Sequence, residues 1–276
     1  MSPLPFALIV IAAFVHVIPH AAIKRADDRN RFVWWMLLGN AVIYSPLLMI
    51  EVPRTRVAWE IIVASGAIET VYLLAISRAY SLGNLSVVYP VARGSAPLFL
   101  LVASIAFLAE RPTAYGIAGI VLIAIGIYAA LGGGLPSGPA LWWSLLSGLM
   151  TATYTTVDKI GIRFVQPLVY IYLVLVVTAL IYTPIVLAGR THVWGRLTQS
   201  LPRVLVAAVM MPLAYALVLT AMRLGMPASY AGSLREMSVL VAAAVGIGFF
   251  GETITPVRVV GACGIAAGIA LIALKG

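Results

Sequence analysis

Five ionisable side chains lie deep in apolar runs of this chain: His16, Glu69, Arg93, Arg235 and Glu236. Charge inside hydrocarbon costs at least a few kcal/mol per residue, so such groups are candidates for function wherever the run around them crosses a membrane. A guanidinium at depth can grip a carboxylate through paired hydrogen bonds, which makes Arg93 and Arg235 candidates for a substrate anchor or for half of a gate. A structural ion pair is the competing role. Arg235 has Glu236 as its immediate neighbour, although adjacent residues on a helix point about 100° apart and do not face each other. Glu69 sits mid-run in Ala67-Ile-Glu-Thr-Val-Tyr72. There it can carry a proton or a cation as a coupling group, or be held ionised in a salt bridge to Arg93. His16 and Glu236 are further coupling candidates.

Tyr72, Tyr80, Tyr89, Tyr215 and Tyr230, with Tyr154 nearby, gather on the runs that hold these charges. Such a lining suits an organic solute with apolar or cationic parts, through stacking and cation–π contact. His16 and His20 lie one helical turn apart, yet no third ligand is near, so no metal site is expected. Cys263 is the single cysteine, which excludes an intramolecular disulfide and a cysteine-based metal cluster. No cofactor is implied. Trp34, Trp35, Trp59, Trp142, Trp143 and Trp194 fall near the ends of apolar runs, as an interfacial belt does.

The elements that must position these groups follow from composition. Of 276 residues, 62% are apolar and 10% charged, against about 45–50% and about 25% in a soluble domain. A soluble globular protein is excluded. Ten apolar runs are separated by short breaks: 4–23, 32–50, 58–77, 86–109, 113–131, 139–157, 167–188, 203–222, 228–250 and 256–274. Each has the length of a membrane-spanning helix, about 20 residues, and transmembrane β-strands do not give runs of this length. The N-terminal run lacks a basic flank and reads as a first span rather than a cleaved signal. The net charge of +9 is scattered along the chain rather than gathered in a patch, so no nucleic-acid partner is expected.

Sliding the chain against itself by 142 residues lays Arg93 on Arg235, Glu110 on Glu252, Gly83 on Gly225, Gly119 on Gly261 and Gly126 on Gly268. Each half then carries five spans, and an odd number forces the second half to enter the membrane inverted. The expected fold is an all-α membrane protein: ten transmembrane helices, as two inverted five-helix repeats (residues 1–134 and 135–276) around a central cavity. Inverted repeats mark alternating-access transporters, with the substrate site near the midplane. Glu69 falls on Met211 in this register, so it stands outside the symmetric scaffold. The seven-residue glycine pairs, Gly119/Gly126 and Gly261/Gly268, make smooth stripes for close helix contact, either as packing within the chain or as a seam between halves or subunits.

The segment Gly83-Asn-Leu-Ser-Val-Val-Tyr-Pro-Val-Ala-Arg93-Gly-Ser-Ala-Pro97, the Glu110-Arg-Pro turn and the glycine-rich fifth run resemble the drug/metabolite transporter superfamily, EamA type. The resemblance covers nearly the whole chain. It implies export of small metabolites, amino acids or drugs through a cavity lined by spans three, four, eight and nine. The glycine pairs are also similar to the last helix of the small multidrug resistance proteins. Those proteins keep a coupling glutamate in the first span, where this chain has His16 and His20 instead.

The expected function is alternating-access export of small organic metabolites, amino acids (aromatic ones included) or amphipathic amines. The alternatives are uptake of a phosphonate-like anion or a choline-like cation, and an integral-membrane enzyme. No metalloprotease, nucleophile-elbow or phosphate-loop motif supports an enzyme. The partners expected are a small-molecule substrate, the lipid bilayer and protons as coupling ion, with a monomer rather than a dimer. The expected location is the cell inner membrane. Loop charge leans slightly against a cytoplasmic N-terminus, with seven basic residues inside and nine outside; the family resemblance implies both termini inside.

Overall fold

The computed structural model describes residues 2–24, 26, 28–130, 135–136, 138–188, 197–250 and 255–276. Among them every regular element is a helix. The first half holds α1 (Pro3–Lys24), α2 (Arg29–Ile43), a short 3-10 turn at Ser45–Met49, α3 (Arg56–Leu82), α4 (Leu85–Leu108) and α5 (Ala114–Ala130). The second holds α6 (Pro139–Gly161), α7 (Pro167–Ala188), α8 (Leu197–Arg223), α9 (Ala228–Arg235), α10 (Met237–Phe250) and α11 (Pro256–Lys275). Six stretches are long and apolar enough to cross a membrane, among them Arg56–Leu82, Pro167–Ala188 and Leu201–Arg223.

Local chemistry sets the ends. The Asp28 and Thr55 side chains accept from the backbone N–H of Arg31 and Ala58, so α2 and α3 start on capped first turns. Pro46 ends α2 as a regular helix and opens the 3-10 turn. Ala109 closes α4 at φ 54, a left-handed conformation that usually falls to glycine, and the chain turns there to present Glu110. Two differences from the sequence expectation stand out. The second run is shorter as an α-helix, and the ninth is not one helix: it breaks at Glu236 into α9 and α10. Glu252, Trp194 and the side chain of His20 lie outside the described residues.

Polarity is arranged inside out. Ser65, Ser144, Thr155, Asp158, Thr178, Ser233 and Glu236 are buried, while Phe14, Val102, Phe107, Leu180 and Val260 face outward. An exposed apolar surface of this extent matches lipid rather than water.

The packing repeats with the halves exchanged. α3 lies on α6 as α1 lies on α8, α3 meets α7 as α2 meets α8, and α4 packs on α6 as α10 packs on α1. The self-paired contacts are α2 with α7 and α5 with α11. The glycine stripes meet at the last of these. A Cβ at Gly119 would stand 2.7 Å from the Gly268 carbonyl oxygen, and one at Gly126 would stand 2.7 Å from the Ile265 nitrogen. Real Cβ atoms do not approach backbone so closely, so both stripes are filled by each other, inside one chain.

Candidate functional site

A cavity of about 200 Å³ lies between the halves. Asn30 and Ser77 stand at its mouth, and Thr151, Leu175 and Tyr215 at its buried floor. His16 of α1, Glu69, Tyr72 and Tyr80 of α3, Tyr89 and Arg93 of α4, Tyr154 of α6, Tyr215 of α8 and Arg235 of α9 all line it. The three-residue and four-residue spacing on each helix turns these groups to one side, so the structure brings together most of the residues singled out by depth and type. A second, open groove of about 540 Å³ beside Gly138, Trp142 and Trp143 is almost wholly apolar and carries no charged side chain.

The charges are arranged across the repeat boundary. Arg93 Nη1 donates to Glu236 Oε1 at 3.2 Å. Arg235 Nη2 stands 3.9 Å from the same oxygen. That proximity was not expected between helical neighbours. It arises because the helix stops: Glu236 has φ −67 and ψ −5 and begins a new segment. Glu236 itself is fully buried beside the cavity rather than on its wall. The Arg93 guanidinium lies 5.6 Å from the Tyr89 ring centre, and that of Arg235 lies 5.7 Å from that of Tyr215. Tyr72, Tyr154 and Tyr215 form an edge-to-face series, with ring centres 5.9 and 6.1 Å apart.

Glu69 does not form the salt bridge to Arg93. Its partner is the Thr178 hydroxyl, 3.3 Å from Oε2. Tyr230 corrects another expectation. It is not on the cavity; its hydroxyl accepts from the Thr113 backbone N–H at 2.9 Å, in the space that Gly116 leaves open. Trp34 is likewise no belt residue, since it is buried and donates to Thr183 Oγ1 at 2.9 Å.

Asp158 is the residue that sequence reasoning missed. Its place near the end of the sixth run suggested water, yet it is 1% exposed. Ser65 and Tyr170 donate to Oδ1 at 2.5 and 2.8 Å, and Tyr215 donates to Oδ2 at 2.7 Å. The available signal was the stripe Thr151, Tyr154, Thr155, Asp158, polar at helical spacing through an apolar run.

Below the floor, the halves are tied together. Glu110 accepts from the backbone N–H of Ala228 at 2.5 Å and from the Ser229 hydroxyl at 2.9 Å. Glu51 accepts from the Gln166 N–H at 2.9 Å, and Thr113 Oγ1 donates to the Lys275 carbonyl at 3.0 Å. Near the mouth, Trp34–Thr183 joins the halves. More of these ties lie below the floor than near the mouth, so the floor side is the more firmly bound end.

The family model described as the EamA-like transporter family matches residues 4–132 and 138–274. Solved chains of the same fold include one crystal structure that covers 98% of this chain and 96% of its own length, with a TM-score of 0.75 at 15% identity. No curated protein matches the chain.

Proposed function

The chain belongs to the EamA-like transporter family, a family of membrane transporters of small molecules, and on that premise we propose that it exports small organic metabolites by alternating access. We take the two matched segments, 4–132 and 138–274, as belonging to repeats at 1–134 and 135–276, each of five spans and inverted with respect to the other. The seat is the inner membrane, with both termini cytoplasmic.

One observation carries the substrate class. The cavity combines an edge-to-face tyrosine series with Arg93 and Arg235 in about 200 Å³, less than the roughly 300–1,000 Å³ typical of drug-sized ligands. A metabolite with an aromatic or amphipathic body and an anionic end fits such a lining: rings meet the tyrosines, and the carboxylate meets a guanidinium fork. Amino acids, aromatic ones among them, have this make-up. Glu69 stands on the cavity wall without a counter-ion among the described residues, where it can meet the cationic part of a solute.

Counterflow tests this. Proteoliposomes preloaded with an amino-acid mixture are offered a labelled aromatic amino acid outside. Transient accumulation is expected, and it should be lost in Arg93→Lys, which keeps a charge against Glu236 but lacks the planar fork. No accumulation sinks the amino-acid assignment, and the solutes offered next are quaternary amines and phosphonates.

A further inference from the structure

Asp158 does not line the cavity, yet it gathers more side-chain donors than the charged groups that do. Three hydroxyls from three helices converge on its carboxylate: Ser65 of α3, Tyr170 of α7 and Tyr215 of α8. Of these, Ser65 comes from the first half, so Ser65–Asp158 is a tie between halves at the bound end. Tyr215 faces both ways: its ring is on the cavity floor and its hydroxyl is on Asp158. It also has an alternative acceptor, since Thr155 Oγ1 lies 3.4 Å from the same hydroxyl.

We propose that Asp158 is the proton-binding group of this transporter, loaded from the cavity through the Tyr215 hydroxyl, and that its protonation loosens the bound end. The step rests on the transport reading above. Tyr215 passes its hydroxyl proton to Asp158 Oδ2 and takes one in return from a hydronium ion in the cavity, which is left as water. The new O–H turns to Thr155 Oγ1, and the Asp158 carboxyl O–H then donates to the Tyr215 oxygen. One proton enters and no other bond is made or broken. The carboxyl is now neutral, so the Ser65 and Tyr170 bonds lose their charge assistance, and such bonds are roughly twice as strong as neutral ones. The tie from the first half weakens in consequence.

The ionisable groups around this cluster are Glu69 on α3, Tyr154 and Lys159 on α6, Tyr170 on α7, Tyr215 on α8 and Arg235 on α9. α4 supplies Arg93, which Glu236 engages. Lys159 is turned away, donating to the Met222 and Met226 carbonyls at 2.7 and 2.8 Å. Glu69 is one turn from Ser65 on the same face and is the rival proton site.

The test needs no knowledge of the solute. A cysteine replacing buried Met226, at the bound end, is labelled with a water-soluble maleimide in the full chain across a range of pH. Cys263 is first replaced by Ala, and rates are normalised at each pH to those of the same variant unfolded in denaturant, which removes the titration of the thiol itself. Acidification should speed labelling several-fold. Asp158→Asn, near-isosteric with the protonated acid, should label fast at every pH, and Asp158→Glu should keep the pH dependence. The infrared band of a protonated carboxyl should titrate in the parent and be missing from Asp158→Asn while persisting in Glu69→Gln. PH dependence that survives in Asp158→Asn, or slow labelling of that variant at every pH, overturns the proposal. Loss of dependence and band in Glu69→Gln alone overturns it too, in favour of Glu69. Counterflow on the same preparations separates the two readings: titration through Asp158 without counterflow of any solute sinks transport but upholds the proton site, and counterflow with labelling indifferent to pH does the reverse.

Discussion

Arg93 and Glu236, 143 positions apart, form an ion pair at 3.2 Å that joins the fourth helix of one repeat to the broken helix of the other. Both groups are almost wholly buried, and Glu236 Oε2 has no hydrogen-bond partner among the described residues. Removing one member of a buried pair costs about 3–5 kcal/mol, because the other charge is left uncompensated. Arg93→Ala should therefore lower thermal stability in detergent sharply. Arg93→Ala with Glu236→Gln should recover a good part of the loss. Additive losses in this double-mutant cycle would show that the pair is not coupled.

The tyrosines divide into two groups by position. Tyr72→Ala removes one member of the edge-to-face series on the cavity wall and should raise KM about tenfold, or roughly 1.4 kcal/mol, near the upper range for aromatic pairs. Tyr230→Phe removes a hydroxyl that serves the Thr113 backbone. It should cost about 1 kcal/mol of stability and leave KM unchanged. Uptake kinetics and melting curves on both variants decide whether this division holds.

The glycines of the α5–α11 seam should differ among themselves. A Cβ on Gly268 would be driven into the Gly119 carbonyl, whereas one on Gly264 would meet its first neighbour, Gly126 Cα, at 3.4 Å. Gly268→Ala should destabilise by about 1–3 kcal/mol, the range for overpacking, and Gly264→Ala by much less. Denaturation midpoints in detergent give the comparison, and equal losses would mean that the two helices are free to separate.

Glu110 acts as a cap donated by the opposite repeat. Its carboxylate takes the first N–H groups of α9 and the Ser229 hydroxyl. Carboxylates are favourable at helix N-termini, and a lost cap costs about 0.5–2 kcal/mol. Glu110→Gln should retain part of the effect and Glu110→Ala none. In both, a cysteine at position 226 should label faster without any change in its dependence on pH.

The features that were legible in the sequence obey short-range rules. Apolar length marks the helices, a constant 142-residue offset exposes the repeat, and glycine periodicity foretells a smooth stripe, although its partner emerges only when α5 and α11 are seen together. The cavity residues were found because charge and aromatic hydroxyls inside apolar runs are costly without a purpose. Long-range geometry hid the rest. Asp158 looked close to water because it is three residues from the end of α6, but the turn after it is tight enough to bring Tyr170 over the carboxylate. The break at Glu236 has no proline to announce it. Tyr230 shares the composition of the cavity tyrosines but points across to Thr113, which no local pattern encodes.

The broken ninth segment bears on how the molecule is built. Its charges sit at mid-length, where an isolated span would have to hold them in lipid with an interrupted backbone, and the counter-ion of Glu236 in the other repeat belongs to α4. The second repeat made alone would insert this segment poorly. In the intact chain the N-terminal repeat is made first, so Arg93 precedes Glu236 and can serve as its counter-ion when the later segment is made.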